Sequence, residues 1–255
     1  MLVRLLVIVL LATTTFAGDL FKDWPRGMTE MLWYDINTIM PQKTTNSLEM
    51  KITKTTGDTP TFEINQNLKI TNQNIDISVT EIYNGGDFQL AKTINCFQFP
   101  AELRTQLGID SLVITGVRTG DSLDITSNSS RMAPPCKVPV DKGLVTSSGS
   151  LLTTRNMSFT VGETRTFRYI NLLMLTGQIY TPLEITDSVV GDAHITVPAG
   201  TFDCYKVKNS VAGSYGYSYY SKEKGHPVIR TELIDPETSE IVMEVVLNRR
   251  EQSTK

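Results

Sequence analysis

The residues of this chain best suited to chemistry are few: two histidines, three cysteines and a scatter of carboxylates. His194 precedes an apolar run, and His226 stands in a Lys-Gly-His-Pro turn. A metal site needs converging ligands, often two His at i,i+2 or i,i+4, and neither histidine has such a neighbour. No Gly-x-Ser-x-Gly elbow supplies a nucleophile, although a triad is assembled in space rather than along the chain. No Asp/Asn ladder ends in Glu as a calcium loop does, and Gly85-Gly86 is followed by neither a Gly-Lys-Ser/Thr signature nor a helix start. These patterns predict no metal, no cofactor and no enzymatic activity. Cys96, Cys136 and Cys204 include no Cys-x-x-Cys pair; they read as small hydrophobes with one optional disulfide whose pairing stays open. Asn128 and Asn156 open glycosylation sequons.

Binding is better represented than catalysis. Tyr215, Tyr217 and Tyr219 alternate with Gly216 and Ser218, and Tyr220 points the other way. Aromatic rings at period 2 share one strand face, and small residues on the reverse face let another backbone or a ligand approach. Such a stripe either walls an apolar pocket, its hydroxyls fixing polar atoms, or packs across neighbouring strands within the sheet. Trp33 joins the three tyrosines as a candidate lining residue.

Strands must position these side chains. Residues 193–247 read as four strand-like runs joined by reversals at Pro198-Ala199-Gly200, Lys224-Gly225 and Asp235-Pro236. They predict an antiparallel meander with one core face and one wet face. Upstream, residues 31–39, 48–54, 61–71, 75–83, 88–99 and 112–118 read as strands. In the fourth, Ile75, Ile77 and Val79 face inward. Residues 100–108 are the helix candidate, with Pro100 at the start, Leu103 and Leu107 on one face and Gly108 as C-cap. Residues 124–137 read as a loop, 143–154 as a Ser/Thr-rich edge hairpin, and 156–168 as two short strands around Gly162-Glu163. The apolar run 170–180 is open between strand and helix. Trp24 and Pro25 lie in a leading arm expected to dock on the surface. The expected fold is mostly β: a single antiparallel sheet curved into an open half-barrel, or alternatively a β-sandwich, with one short helix.

The beginning of the chain looks like a targeting segment. Arg4 supplies the charge, residues 5–12 the apolar core, and Thr15-Phe16-Ala17 a cleavage site, so 1–17 is predicted to be a signal peptide and 18–255 a single β-rich domain. The expected location is therefore exported, periplasmic or extracellular. A net charge of −3 with no basic block gives no electrostatic case for nucleic acid. No later segment is long and apolar enough to span a bilayer as a helix.

Residues 197–207, VPAGTFDCYKV, resemble a recurrent segment of exported bacterial proteins of unknown function. In that family the next strands carry an aromatic-Tyr pair and a Gly-x-Pro-Val turn, matched here by Tyr219-Tyr220 and by Gly225-His226-Pro227-Val228. Val161-Gly162-Glu163-Thr164 fits the same pattern. The N-terminal half matches in style only. The family is distantly similar to periplasmic lipoprotein carriers of the LolA/LolB type, which implies a curved open barrel around a hydrophobic cavity; this chain shows little of the amphipathic helix that lids it. Two functions follow as expectations: a binding module holding a hydrophobic or lipid-like ligand in the concave sheet face, lined by Trp33 and the tyrosines, or a structural or interaction protein of the cell envelope with a filled core.

Overall fold

The computed structural model describes residues 24–39, 43–85, 88–140, 144–172 and 182–254. Residues 1–17, read above as a signal peptide, and most of the apolar run 170–180 lie outside them. In chain order the elements are β1 (Met28–Thr38), β2 (Thr44–Lys54), β3 (Thr61–Ile70), β4 (Ile75–Asn84), β5 (Leu90–Gln98), α1 (Ala101–Leu107), β6 (Ser111–Thr119), β7 (Ser122–Ser127) and β8 (Cys136–Pro139). There follow β9 (Leu144–Val145), α2 (Ser147–Thr154), β10 (Thr164–Tyr169), β11 (Leu183–Val197), β12 (Gly200–Val211), β13 (Ser214–Ser221), β14 (Val228–Ile234) and β15 (Ile241–Thr254).

All the strands form one sheet, in the order β8 to β1, then β15 down to β9. Every neighbouring pair is antiparallel except β9–β10. Alternation sets the faces. In β1, Leu32, Tyr34, Ile36 and Thr38 are buried while Trp33, Asp35 and Asn37 are half-buried on the other side, as the period-2 pattern predicts. The first and last strands pair in the middle of the sheet, from Met28 opposite Thr254 to Thr38 opposite Met243. The free edges are therefore β8 and β9, strands adjacent in sequence. Both are very short, and β8 ends on a proline, features that discourage edge-to-edge pairing.

The closing meander has one strand more than the sequence suggests. Ala212 at φ 46 and Gly213 at φ 84 make a two-residue turn that joins β12 to β13, with both central residues in the left-handed region that a type I′ hairpin requires. Ala-Gly lacks the usual Asn-Gly signature, and the alternation reads straight through it. Residues 124–137 hold the end of β7 and the start of β8 rather than a continuous loop. Of the two strands expected in 156–168 only β10 forms. Trp24 is buried, its ring meeting Phe62 edge-on at 6.3 Å, whereas Pro25 stays exposed. Helix α1 forms where predicted, with Gly108 at φ 71 donating its N–H to the Arg104 carbonyl.

The largest correction concerns residues 143–154. They form β9 and a second helix, not an edge hairpin, and the helix lies inside the sheet. The Gly149 N–H donates to Glu81 on β4, while the Thr154 hydroxyl donates to Asp187 on β11. Those strands stand eight places apart in the sheet. Laid flat they would be about 38 Å apart, whereas an eight-residue helix is about 12 Å long. The sheet must therefore curl around α2, which makes it a curved, unclosed barrel and rules out a two-sheet sandwich.

Candidate functional site

The concave face is built around the segment that follows β9. Leu152, Thr153, Thr154 and Arg155 are all buried. The Arg155 guanidinium meets Glu30 of β1 at 2.6 Å, with both side chains sealed from solvent. Glu30 also accepts from Arg250 Nε at 2.8 Å and from Gln252 at 3.2 Å, and Arg250 reaches on to Glu223. Burial alone would raise the Glu30 pKa, but Arg155 and Arg250 outweigh it and hold the carboxyl below its usual range. Removing one partner of such a pair strands a buried charge, at a cost of about 3–5 kcal/mol. The pair thus fixes the end of α2 to the strand on which the chain begins its sheet.

A second set of anchors runs along the inner face. Asn209 donates to Asp187 at 2.8 Å, Ser218 donates to Asn209 at 2.8 Å, and Ser218 and Thr231 share a contact of 3.2 Å, one link on each of β11, β12, β13 and β14. Burial pushes the Asp187 carboxyl up to about 7 even though Asn209 and Thr154 hydrogen-bond it. At the other end of α2, Tyr83 donates to Glu81 at 2.9 Å and its hydroxyl lies 2.8 Å from Thr146. The sequence carried a sign of these groups. Glu30 is in phase with Leu32 and Tyr34, Glu81 with Val79 and Tyr83, and Asp187 with Ile185 and Val189. A charge on the apolar beat of a strand signals a buried partner; Gly149 and Thr154, which meet Glu81 and Asp187, lay in a segment read as an edge hairpin, and Arg155 stood in no assigned element.

The opposite, solvent-facing side holds a groove of about 520 Å³ across β1 to β5. Its first row follows the pairing Asp35, Ser47, Lys69, Asp76 and Gln98. The second follows Trp33, Glu49, Asn67 and Ser78. Trp33 is held on two sides: its indole N–H donates to Glu49 at 3.1 Å, and the Arg249 guanidinium lies 4.5 Å from the ring centre. Asn248 donates to Asp35 at 3.2 Å.

The fold has a counterpart. A β-barrel-like protein of the domain of unknown function DUF1849 from Brucella abortus superposes with a TM-score of 0.58 at 8% identity, covering 89% of this chain and 98% of the other. Weaker matches are a protein with a YmcC-like fold from Bacteroides fragilis (TM-score 0.42, 15% identity, 89% and 96% covered) and a protein described as a lipoprotein from Parabacteroides distasonis (0.38, 13%, 89% and 96%). No protein-family model and no curated protein matches the sequence. The first likeness is one of fold alone.

Trp33 and the tyrosines share the outer face of this barrel-like sheet but are not brought together, since β15 and β14 separate them. Tyr215 and Tyr217 are half-buried, with the ammonium groups of Lys208 and Lys206 at 4.8 and 4.0 Å from their ring centres. Tyr219 is buried and donates to Glu232 at 2.9 Å. The stripe therefore packs across strands instead of lining the concavity; Tyr220, on the reverse face, is the one that reaches the interior. His194 is exposed beside Asp203 at 2.8 Å, and His226 donates from Nδ1 to the Ser221 carbonyl with its ring 5.0 Å from that of Phe159. No disulfide joins Cys96, Cys136 and Cys204 among the described residues, and burial pushes Cys204 up to about 12. The Asn128 amide is committed to the backbone, donating to Ser111 and accepting from Val113. Among the described residues no helix is long and apolar enough to cross a membrane.

Proposed function

We propose that this is an exported, non-enzymatic interaction protein of the cell envelope that works through the outside of its sheet. The observation that carries the reading is the buried Arg155–Glu30 pair, because it ties α2 into the concavity where a carrier would hold its cargo. The resemblance of residues 197–207 to the relatives of LolA/LolB-type carriers points to a hydrophobic ligand on that inner face. In this chain the inner face is covered by a helix with polar anchors at both ends, and the buried apolar side chains pack into one large cluster and one small one. A site of that kind favours the filled core over the lipid-like cargo. Export rests on Arg4, the apolar run 5–12 and Ala17. The non-enzymatic reading rests on the sequence, which holds no nucleophile elbow, no metal-ligand spacing and no phosphate cradle.

An organic extract of the purified protein, examined by mass spectrometry, tests the reading. It should contain no lipid at a level approaching one molecule per chain. A lipid recovered near one per chain would return the function to carriage and overturn the proposal.

A further inference from the structure

We infer that the groove around Trp33 is a binding site for an uncharged, hydroxyl-rich chain, namely a neutral oligosaccharide, lying across β1 to β5. This rests on the outward-facing function proposed above and names the ligand class of that face.

The groove has a cause in the side chains. Asn67 and Ser78 are short and stand opposite each other on β3 and β4, with the short Ser47 diagonal to Asn67 on β2, whereas Trp33, Glu49 and Lys69 around them are tall. The depression spans five strands, about 19 Å from β1 to β5, enough for several sugar rings in a row. Its volume is that of a ligand pocket.

The chemistry of the lining selects the ligand. Ser47, Asn67, Lys69, Asp76 and Ser78 hold no side-chain partner among the described residues. Lys69 and Asp76 even stand opposite each other in the register without an ion pair. Hydroxyls and an amide both donate and accept, and carboxylates accept from neighbouring hydroxyls, which is the complement of a sugar edge. Charge excludes the main competitor: Asp35, Glu49 and Asp76 outnumber Lys69 in the lining, so a polyanion would meet net repulsion. The lining also offers carbon surface, but an apolar ligand would desolvate Ser47, Asn67, Lys69, Asp76 and Ser78 without pairing them, a cost that a hydroxyl-rich ligand avoids. Trp33 supplies the apolar wall against which the C–H face of a sugar ring can rest. Its rotamer is fixed in advance by Glu49 and Arg249, which lowers the ordering cost of binding.

Calorimetry with a panel of neutral linear hexasaccharides, β-1,4- and β-1,3-glucans, chitin and α-1,4-glucan fragments, tests the inference on the purified protein. At least one should bind with a Kd on the order of 10 µM to 1 mM, as befits an open, wet site. Trp33→Ala and Ser78→Arg should each weaken binding at least tenfold; Ser78→Arg, at an exposed position, should leave the melting temperature within a few degrees, whereas Trp33→Ala also gives up the contacts to Glu49 and Arg249 and should lower it further. A sulfated oligosaccharide of equal length should not bind. No heat with any neutral member up to about 10 mM, or unchanged affinity in Ser78→Arg, would overturn the site. A photo-crosslinker at Ser78 that captures an envelope protein, with no sugar bound, would overturn the ligand class yet leave the outward-facing function standing. A lipid in the organic extract would instead remove that function itself.

Discussion

Asp187 is the residue where burial and titration act most openly on stability. Its carboxyl is pushed up to about 7 by desolvation, against an unfolded value of 3.8. Below about pH 4 both states hold the proton and the group has no effect. Between about pH 4 and 7 the unfolded chain ionises while the folded one keeps its proton, so this group's contribution to stability falls as pH rises; above about 7 the loss is complete and constant. The full difference is on the order of 4 kcal/mol. Asp187→Asn keeps an acceptor for Asn209 and can place its amide against Thr154, but it cannot ionise. Urea unfolding at a series of pH values should therefore show the variant gaining on the parent between pH 4 and 7, with a plateau beyond. A gap that stays flat over that range would mean that Asp187 ionises normally inside the fold. The same residue shows what the sequence could tell. Its phase with Ile185 and Val189 places it on the inner face, but nothing in the sequence around it names Asn209 and Thr154 as its partners, since those contacts are made only once four strands and a helix meet.

At the scale of the element, α2 is a helix that its own sequence does not favour. SSGSLLTT holds a glycine, three serines and two threonines of low helix propensity besides two leucines, and a helix of eight residues is marginal alone. Its N-cap residue Thr146 makes no side-chain capping bond; the Gly149 N–H is satisfied by Glu81 on β4 instead, a carboxylate at the positive end of the helix. That is why local propensity pointed to an edge strand, whereas strands β1 to β5 and helix α1, whose patterns are local and periodic, were legible. Gly149 is required for a reason of space. A Cβ there would lie 1.9 Å from the Tyr83 hydroxyl and 2.3 Å from ring carbon Cζ. Gly149→Ala should thus destabilise the protein by about 1–3 kcal/mol in chemical denaturation, despite alanine's higher helix propensity. Tyr83→Phe in the same chain should not restore the loss, because Cζ remains. A neutral or stabilising Gly149→Ala would show that α2 can shift freely within the sheet.

The whole molecule is a meander cut in an unusual place. The sequence implies strands that pair with their successors, and that holds from β1 to β8 and from β10 to β15; the β1–β15 ladder, which joins the two ends of the chain, is invisible to any local pattern. Closing that ladder is the most non-local event in the fold, because nearly the entire chain forms the loop. A circular permutant makes the contrast measurable. Thr254 joined to Trp24 by a short flexible linker turns β15 and β1 into a hairpin, because Met28 already stands opposite Thr254. New ends placed within residues 141–143 then fall between the two free edges of the sheet, β8 and β9, where no strand pairing is cut. The permuted chain runs β9 to β15 and on through β1 to β8, so every antiparallel neighbour in space becomes a neighbour in sequence. It should keep the far-UV circular dichroism of the parent and unfold cooperatively, since all inner-face anchors of α2 are retained. It should also refold faster in stopped-flow experiments, because the longest loop closure has become a short turn. Refolding slower than the parent, or loss of cooperative unfolding, would show that the covalent continuity between β8 and β9 is needed to hold the barrel together.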